Sequence, residues 1–254
     1  MWRKSLVGLI ACTGLVHLAT LSSDVELLHW IFKLLPMALI IALAVGSRSD
    51  GGEGAKYRNL IVTGLLFSIG GDTFLLLPDD PWFVFGLGSF LIGHLSYVAA
   101  MFVRWLGSGR IQGNGGRDRV PAIRTRNAWM AGLSAGILIV AYSVLLGSRF
   151  HASIMADDSQ SGLWVPVVVY IAVIGAMGWS AIMSRNAYAT CWALLFMASD
   201  SILAWNKFVS DVPWSGVLIM ATYFSAQFLI ASSIAGGKGR SLRRAPIVNG
   251  GLEG

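Results

Sequence analysis

The chain has 254 residues, 55% of them hydrophobic and only 13% charged, against about 25% charged in soluble domains, and its mean hydropathy is +0.66. That excludes an ordinary soluble domain and points to a polytopic, all-α membrane protein. The net charge of +6 resembles that of a nucleic-acid binder, but the basic residues flank apolar runs, where they meet anionic lipid headgroups, so membrane lipids are the expected partners and nucleic acid is not.

A helix needs about 20 apolar residues to cross roughly 30 Å of hydrocarbon. By that measure eight transmembrane helices are predicted, at about 5–21, 27–46, 60–77, 83–106, 128–147, 163–183, 189–209 and 214–234. The first is read as a span rather than a cleaved leader or lipoprotein box at Cys12, because its removal breaks an alternation of charge along the chain. Arg3 and Lys4 precede the first span, Asp24 and Glu26 follow it, and Arg48, Lys56 and Arg58 follow the second. Asp79 and Asp80 come next, then the arginines from Arg104 to Arg126, Asp157 and Asp158, Arg185, Asp211, and finally Lys238 to Arg244. All of the 19 Lys and Arg except Lys33, Arg149 and Lys207 fall on one side. The positive-inside rule makes that side, with both termini, cytoplasmic, and a bacterial inner membrane is the expected location. Residues 107–126 and the basic tail 236–254, rich in Gly and Arg, have the composition of flexible cytoplasmic segments. Cys12 and Cys191 have no metal or disulfide spacing and are expected to fill the core.

The polar residues inside the spans carry the functional signal. Asp72, in Ser68-Ile-Gly-Gly-Asp-Thr, and Asp200, in Met197-Ala-Ser-Asp-Ser, lie in long apolar runs. A carboxylate at mid-membrane costs about 2.5–3.5 kcal/mol on insertion scales, so both are candidates for chemistry. Lys33, His17, His94, Tyr97, Asn206, Lys207, Tyr223 and Gln227 accompany them. Their positions place the set between the bilayer centre and about 10 Å outward, with Asp72 about five residues inside the outer end of its span. Helical spacing puts His94 with Tyr97, Asp200 with Lys207, and Tyr223 with Gln227. A bundle gathering these faces is expected to form a solvated chamber with two carboxylates, two ammonium groups and an imidazole. Plainer roles compete: Lys207 snorkelling to the interface, Lys33 neutralising Asp72, and His94 as a satisfied core histidine. The histidines are too scattered for a zinc site, and neither metal nor cofactor is expected. A serine such as Ser68, Ser96 or Ser199 beside a histidine stays open as a nucleophile, although no nucleophile-elbow motif marks one.

Lys33-Leu-Leu-Pro36, Gly71-Asp72 with Leu75, Phe90 with His94 and Tyr97, Pro166 with Tyr170, Ser199-Asp200 with Leu203, Asn206-Lys207-Phe208, and Ala226-Gln227 with Leu229-Ile230 occur in an order that resembles the YhhN family, which includes lysoplasmalogenases. The resemblance covers about residues 30–230. It implies an eight-helix intramembrane hydrolase that cleaves the vinyl ether bond of a lysophospholipid substrate, releasing a fatty aldehyde and glycerophosphocholine or glycerophosphoethanolamine. On that resemblance Asp72, Asp200 and His94 are the expected catalytic residues, and Lys33, Tyr97, Tyr170, Asn206, Lys207, Tyr223 and Gln227 the expected substrate-binding ones.

Vinyl ether hydrolysis needs a proton on the alkene carbon remote from the ether oxygen and then water at an oxocarbenium ion. Two carboxyl groups divide that work as they do in glycosidases, one as acid and one as ionised stabiliser. The aspartate nearer an ammonium is expected to stay ionised, with Asp200, the deeper one, as the acid. A proton-coupled transporter, a hydrolase of another lysolipid, and a retinal-type photoreceptor on Lys207 are the alternatives.

Overall fold

The computed structural model describes residues 2–21, 25–49, 52–78, 80–113, 122–184 and 187–235, without the side chains of 80, 107–113 and 122–129. Among these the secondary structure is helical, with no strand. The eight helices are α1 (Trp2–Thr20), α2 (Glu26–Val45), α3 (Glu53–Phe74), α4 (Asp80–Gly113), α5 (Ala122–Met155), α6 (Trp164–Met183), α7 (Ala187–Phe208) and α8 (Ser215–Ser233). Six stretches are long and apolar enough to cross a membrane, one in each of α2, α4, α5, α7 and α8 and one over Ser161–Met183 containing α6. α1 and α3 fall short of that measure for a visible reason. Arg3 and Lys4 open α1, while Lys56, Arg58 and Asn59 at one end of α3 and Gly70-Gly71-Asp72 at the other dilute its apolar middle.

α8 is the hub, packing against α1, α2, α3 and α7, while α4 runs along α3 and α6, and α5 packs on α6 and α7. The core holds Met37, Ile40, Ile61, Leu65, Tyr97, Trp192, Phe196 and Ile230, each fully or almost fully buried. Large apolar side chains also line the outside: Leu133, Ile137, Leu138, Val144 and Leu145 of α5 are all more than 60% exposed. In water such a stripe would be a liability, and in lipid it is the expected outer face.

Small residues set the α3–α4 contact. A methyl group at Gly64 would overlap the ring of Tyr97, and one at Gly71 the ring of Phe90. The two glycines, seven residues apart on one face, let α4 seat these rings against the α3 backbone. Gly93 answers from the other side, where a Cβ would lie 3.1 Å from the Gly64 carbonyl oxygen.

Several expectations change. Residues 107–113 and 122–126 of the expected flexible connector are helical continuations of α4 and α5, and 114–121 lie outside the described residues, as do Asp24, Asp79, Arg185 and the tail 236–254. Cys12 and Cys191 are exposed and free rather than core filler, each lying on the outward side of its helix. The α5–α6 loop is held by Asp157, whose Oδ1 accepts from the Ser159 amide at 3.0 Å and hydroxyl at 2.7 Å, while Oδ2 accepts from Gln160 Nε2 at 2.8 Å. These donors hold the carboxyl of Asp157 below its ordinary range.

Candidate active site

The polar side chains fall into two clusters, with the ring of Phe196 between them. In the first, Asp72 is buried two residues before the end of α3, closer to the helix end than expected from sequence, and its Oδ2 accepts a 2.6 Å hydrogen bond from Tyr223 of α8. Lys33 of α2, also buried, lies within electrostatic reach of Asp72 without a direct ion pair. One turn along α8 from Tyr223, Gln227 Oε1 accepts from Tyr97 at 2.8 Å, and the Tyr97 oxygen accepts in turn from Ser68 of α3 at 3.3 Å.

In the second cluster Asp200 of α7, His94 of α4 and Tyr170 of α6 form a triangle. Tyr170 donates to Asp200 Oδ2 at 2.9 Å, and His94 Nε2 lies 3.0 Å from the Tyr170 oxygen and 3.3 Å from Asp200 Oδ2. A phenol has one proton to give. With it on Asp200, the Tyr170 oxygen accepts from His94, which assigns the imidazole proton to Nε2. Both contacts fall on Oδ2, so Oδ1 of Asp200 has no protein partner among the described residues.

Asp200 and Tyr170 form part of the wall of a cleft between α4, α5, α6 and α7, with about 740 Å³ of empty space when the open space at its mouth is included. The rest of the lining is almost wholly apolar, including Phe83, Leu87, Phe90, Leu146, Phe150 and Phe208. Tyr142 of α5 donates to Ser201 at 2.7 Å across this cleft. The carboxyl side chain is 12% exposed, so it is reachable from the cleft while the imidazole behind it, at 1%, is not.

The rings between the clusters are close. Phe196 stands edge-on to His94, with centroids 4.6 Å apart, and edge-on to Tyr223 at 5.5 Å. The expected solvated chamber is therefore replaced by two buried polar clusters embedded in aromatic packing, because α7 and α8 present Phe196 and Tyr223 at the same level as the carboxylates.

The structure brings together Lys33, Asp72, His94, Tyr97, Tyr170, Asp200, Tyr223 and Gln227, and leaves out two of the expected residues. Asn206 Oδ1 accepts from the Val212 amide at 2.9 Å and secures the turn after α7. Lys207, in the last turn of α7, is exposed, with Nζ 5.2 Å from the centroid of the Phe83 ring, at the edge of the cleft rather than inside the bundle. It shares a helical face with Asp200 by spacing, but Lys207 is exposed while Asp200 is part-buried. Tyr142, Ser201 and Phe196 were not singled out from sequence. A hydroxyl on an outward helix and a phenylalanine in an apolar run carry no local signal of function. Among the described residues no three His, Cys, Asp or Glu side chains converge as a metal-ligand set would.

Fold and site together define a multi-pass, all-helical membrane protein that buries two carboxylates near its core, one of them on the wall of an apolar cleft. The model of the YhhN family matches residues 28–234, and the chain belongs to that family. It is 34% identical to lysoplasmalogenase TMEM86A of Bos taurus over 184 residues, and 34% identical to that of Homo sapiens over 183, each match covering 68% of this chain. The matched region spans 64% of the length of those two relatives. A lysoplasmalogenase of Mycobacterium bovis is 32% identical over 205 residues, 80% of this chain and 69% of the relative. No solved structure matches the chain.

Proposed function

We propose that the protein is an intramembrane hydrolase of lysoplasmalogens, cleaving the vinyl ether bond to a fatty aldehyde and a glycerophospho-alcohol. The observation that carries this reading is Asp200, set on the wall of the apolar cleft with His94 and Tyr170 on one oxygen and no protein partner on the other. A single hydrocarbon chain matches the apolar lining of this cleft, and its reactive end then lies against a carboxyl group.

Asp200, in its acid form, gives its proton to the alkene carbon remote from the ether oxygen, which leaves an oxocarbenium ion and a carboxylate. Water adds to the cation and loses its proton to that carboxylate, restoring the acid. The hemiacetal then breaks its bond to the glycerol oxygen, and that oxygen leaves as an alcohol as the proton of the hemiacetal hydroxyl is passed on. Tyr170 and His94 orient Asp200 and stabilise its charged form between these steps. In this mechanism Asp72 serves as the ionised partner, with Tyr223 donating to it and the Lys33 ammonium within electrostatic reach, and its negative charge stabilises the cation. Lys207, at the cleft edge, meets the substrate phosphate. The charge alternation supports eight spans with both termini cytoplasmic.

Mass spectrometry of products from a panel of lysolipids tests the reading. A fatty aldehyde from vinyl ether substrates, lost in Asp200→Asn and Asp72→Asn proteins that remain folded, is the expected result. A free fatty acid from acyl substrates would assign a different hydrolase. Wild-type rates from either variant would overturn the mechanism.

A further inference from the structure

The cleft beside Asp200 is nearly all apolar, and a lipid tail fills it, yet hydrolysis consumes water. On the proposed activity, water needs a second way in. The side of the bundle formed by α1, α2 and α8 carries polar groups that the lipid site does not use. His17 of α1 is 1% exposed, and neither ring nitrogen has a hydrogen-bonding partner in the protein. Buried polar atoms are almost always satisfied by protein or by ordered water, so two orphaned nitrogens on one ring mark a place where small polar molecules are held.

Three observations say where that place leads. His17 packs edge-on against Phe224, the residue after the Tyr223 that donates to Asp72. It lies within electrostatic reach of both His29 and Lys33 on α2. His29 and Lys33 are four residues apart on one helical face, the first half-buried near the start of α2 and the second buried beside Asp72. From the helix ends, His17 and His29 each lie three residues in, about 5 Å deep, and Lys33 seven residues in, about 10 Å. Beyond Lys33 and Asp72, Gln227 Nε2 and His94 Nδ1 are buried without partners as well. The orphaned atoms thus occur on the α1–α2–α8 side and then on the inner faces of both clusters.

We propose that His29, His17 and Lys33 line a hydrated track between α1, α2 and α8 that supplies water to the site from the side opposite the lipid cleft, with His17 as the positioning residue that holds it. This rests on the hydrolase reading for its purpose but not for its existence. Neutral imidazole accepts at one nitrogen and donates at the other, so one ring can pass a chain of water from the end of the bundle toward the Lys33 ammonium.

Radiolytic hydroxyl-radical footprinting of the intact protein in 18O-labelled water reads the track directly, since buried side chains are labelled when bound water adjoins them. His17 and Phe224 are expected to take up label well above Phe196, which is fully buried among rings. In parallel, His17→Leu is expected to lower kcat for lysolipid about tenfold, the scale of one lost hydrogen bond, with KM unchanged, and His17→Gln to restore most of the rate. A His17 as protected as Phe196 overturns the track, and a labelled His17 whose leucine variant keeps wild-type kcat overturns its role. If His17→Leu fails to fold, the labelling and His17→Gln decide, a kcat lost in the glutamine variant counting against the role. Should no lysolipid be cleaved, the footprint still tests the track, so the two failures stay distinct.

Discussion

Replacing Tyr170 by Phe removes one hydroxyl from the centre of the Asp200 triangle and leaves the ring that lines the cleft. The hydroxyl makes two contacts, 2.9 Å to Asp200 Oδ2 and 3.0 Å from His94 Nε2. A hydrogen bond to a charged group contributes about 1.5–3 kcal/mol, and the bond to Asp200 is strongest when that residue is ionised, after it has given up its proton. At 1.36 kcal/mol per decade of rate, the loss predicts a fall in kcat of roughly 10- to 150-fold. KM is expected to stay where it was, because the apolar wall is unchanged. Folding is expected to survive, since His94 still approaches Asp200 at 3.3 Å. The assay is aldehyde release from a vinyl ether lysolipid by protein in nanodiscs, over a substrate series that separates kcat from KM. Tyr142→Phe is the internal control: it deletes a 2.7 Å bond to Ser201 in the same cleft without touching Asp200, and kcat is expected to hold. Wild-type kcat in Tyr170→Phe, or an equal loss in the control, would refute the assignment of Asp200 as the group that Tyr170 serves.

Two stability predictions follow from the packing. Lys33→Met and Asp72→Asn are each expected to cost about 3 kcal/mol by stranding a buried charge, while the double variant recovers much of it; additive losses in a denaturation cycle would show that the two do not interact. Gly71→Val is expected to lower the melting temperature through overlap with Phe90, at about 1–3 kcal/mol, whereas Gly88→Ala, with open space at its Cβ, is expected to be neutral or stabilising; equal melting temperatures for Gly71→Val and wild type would remove the close-packing account of α3 and α4.

The sequence by itself determined the class, because lipid imposes so strong a constraint. Backbone groups must be satisfied inside each helix, so apolar runs of about 20 residues become helices whatever else they contact. The cost of burying charge made Asp72, Asp200, Lys33 and His94 visible without any coordinates. The 3.6-residue period correctly paired Tyr223 with Gln227 and His94 with Tyr97, all of which are buried. The same period failed at Lys207, which lies on the face of Asp200 yet is exposed, because spacing along one helix does not encode what packs against each turn of it.

Only the tertiary structure decided how the carboxylates are partnered. Tyr223 finds Asp72 across 151 residues of chain, Tyr170 finds Asp200 across 30 and His94 across 76, and no local pattern encodes such distances. Helix order around α8 sets them, through small residues that admit rings and rings that divide what composition suggested was one wet chamber. The identities of the polar groups were therefore legible one residue at a time. Their division into a carboxyl on the wall of the cleft and one held by Tyr223 depends on which helices touch, and that is fixed by packing between segments far apart in the chain.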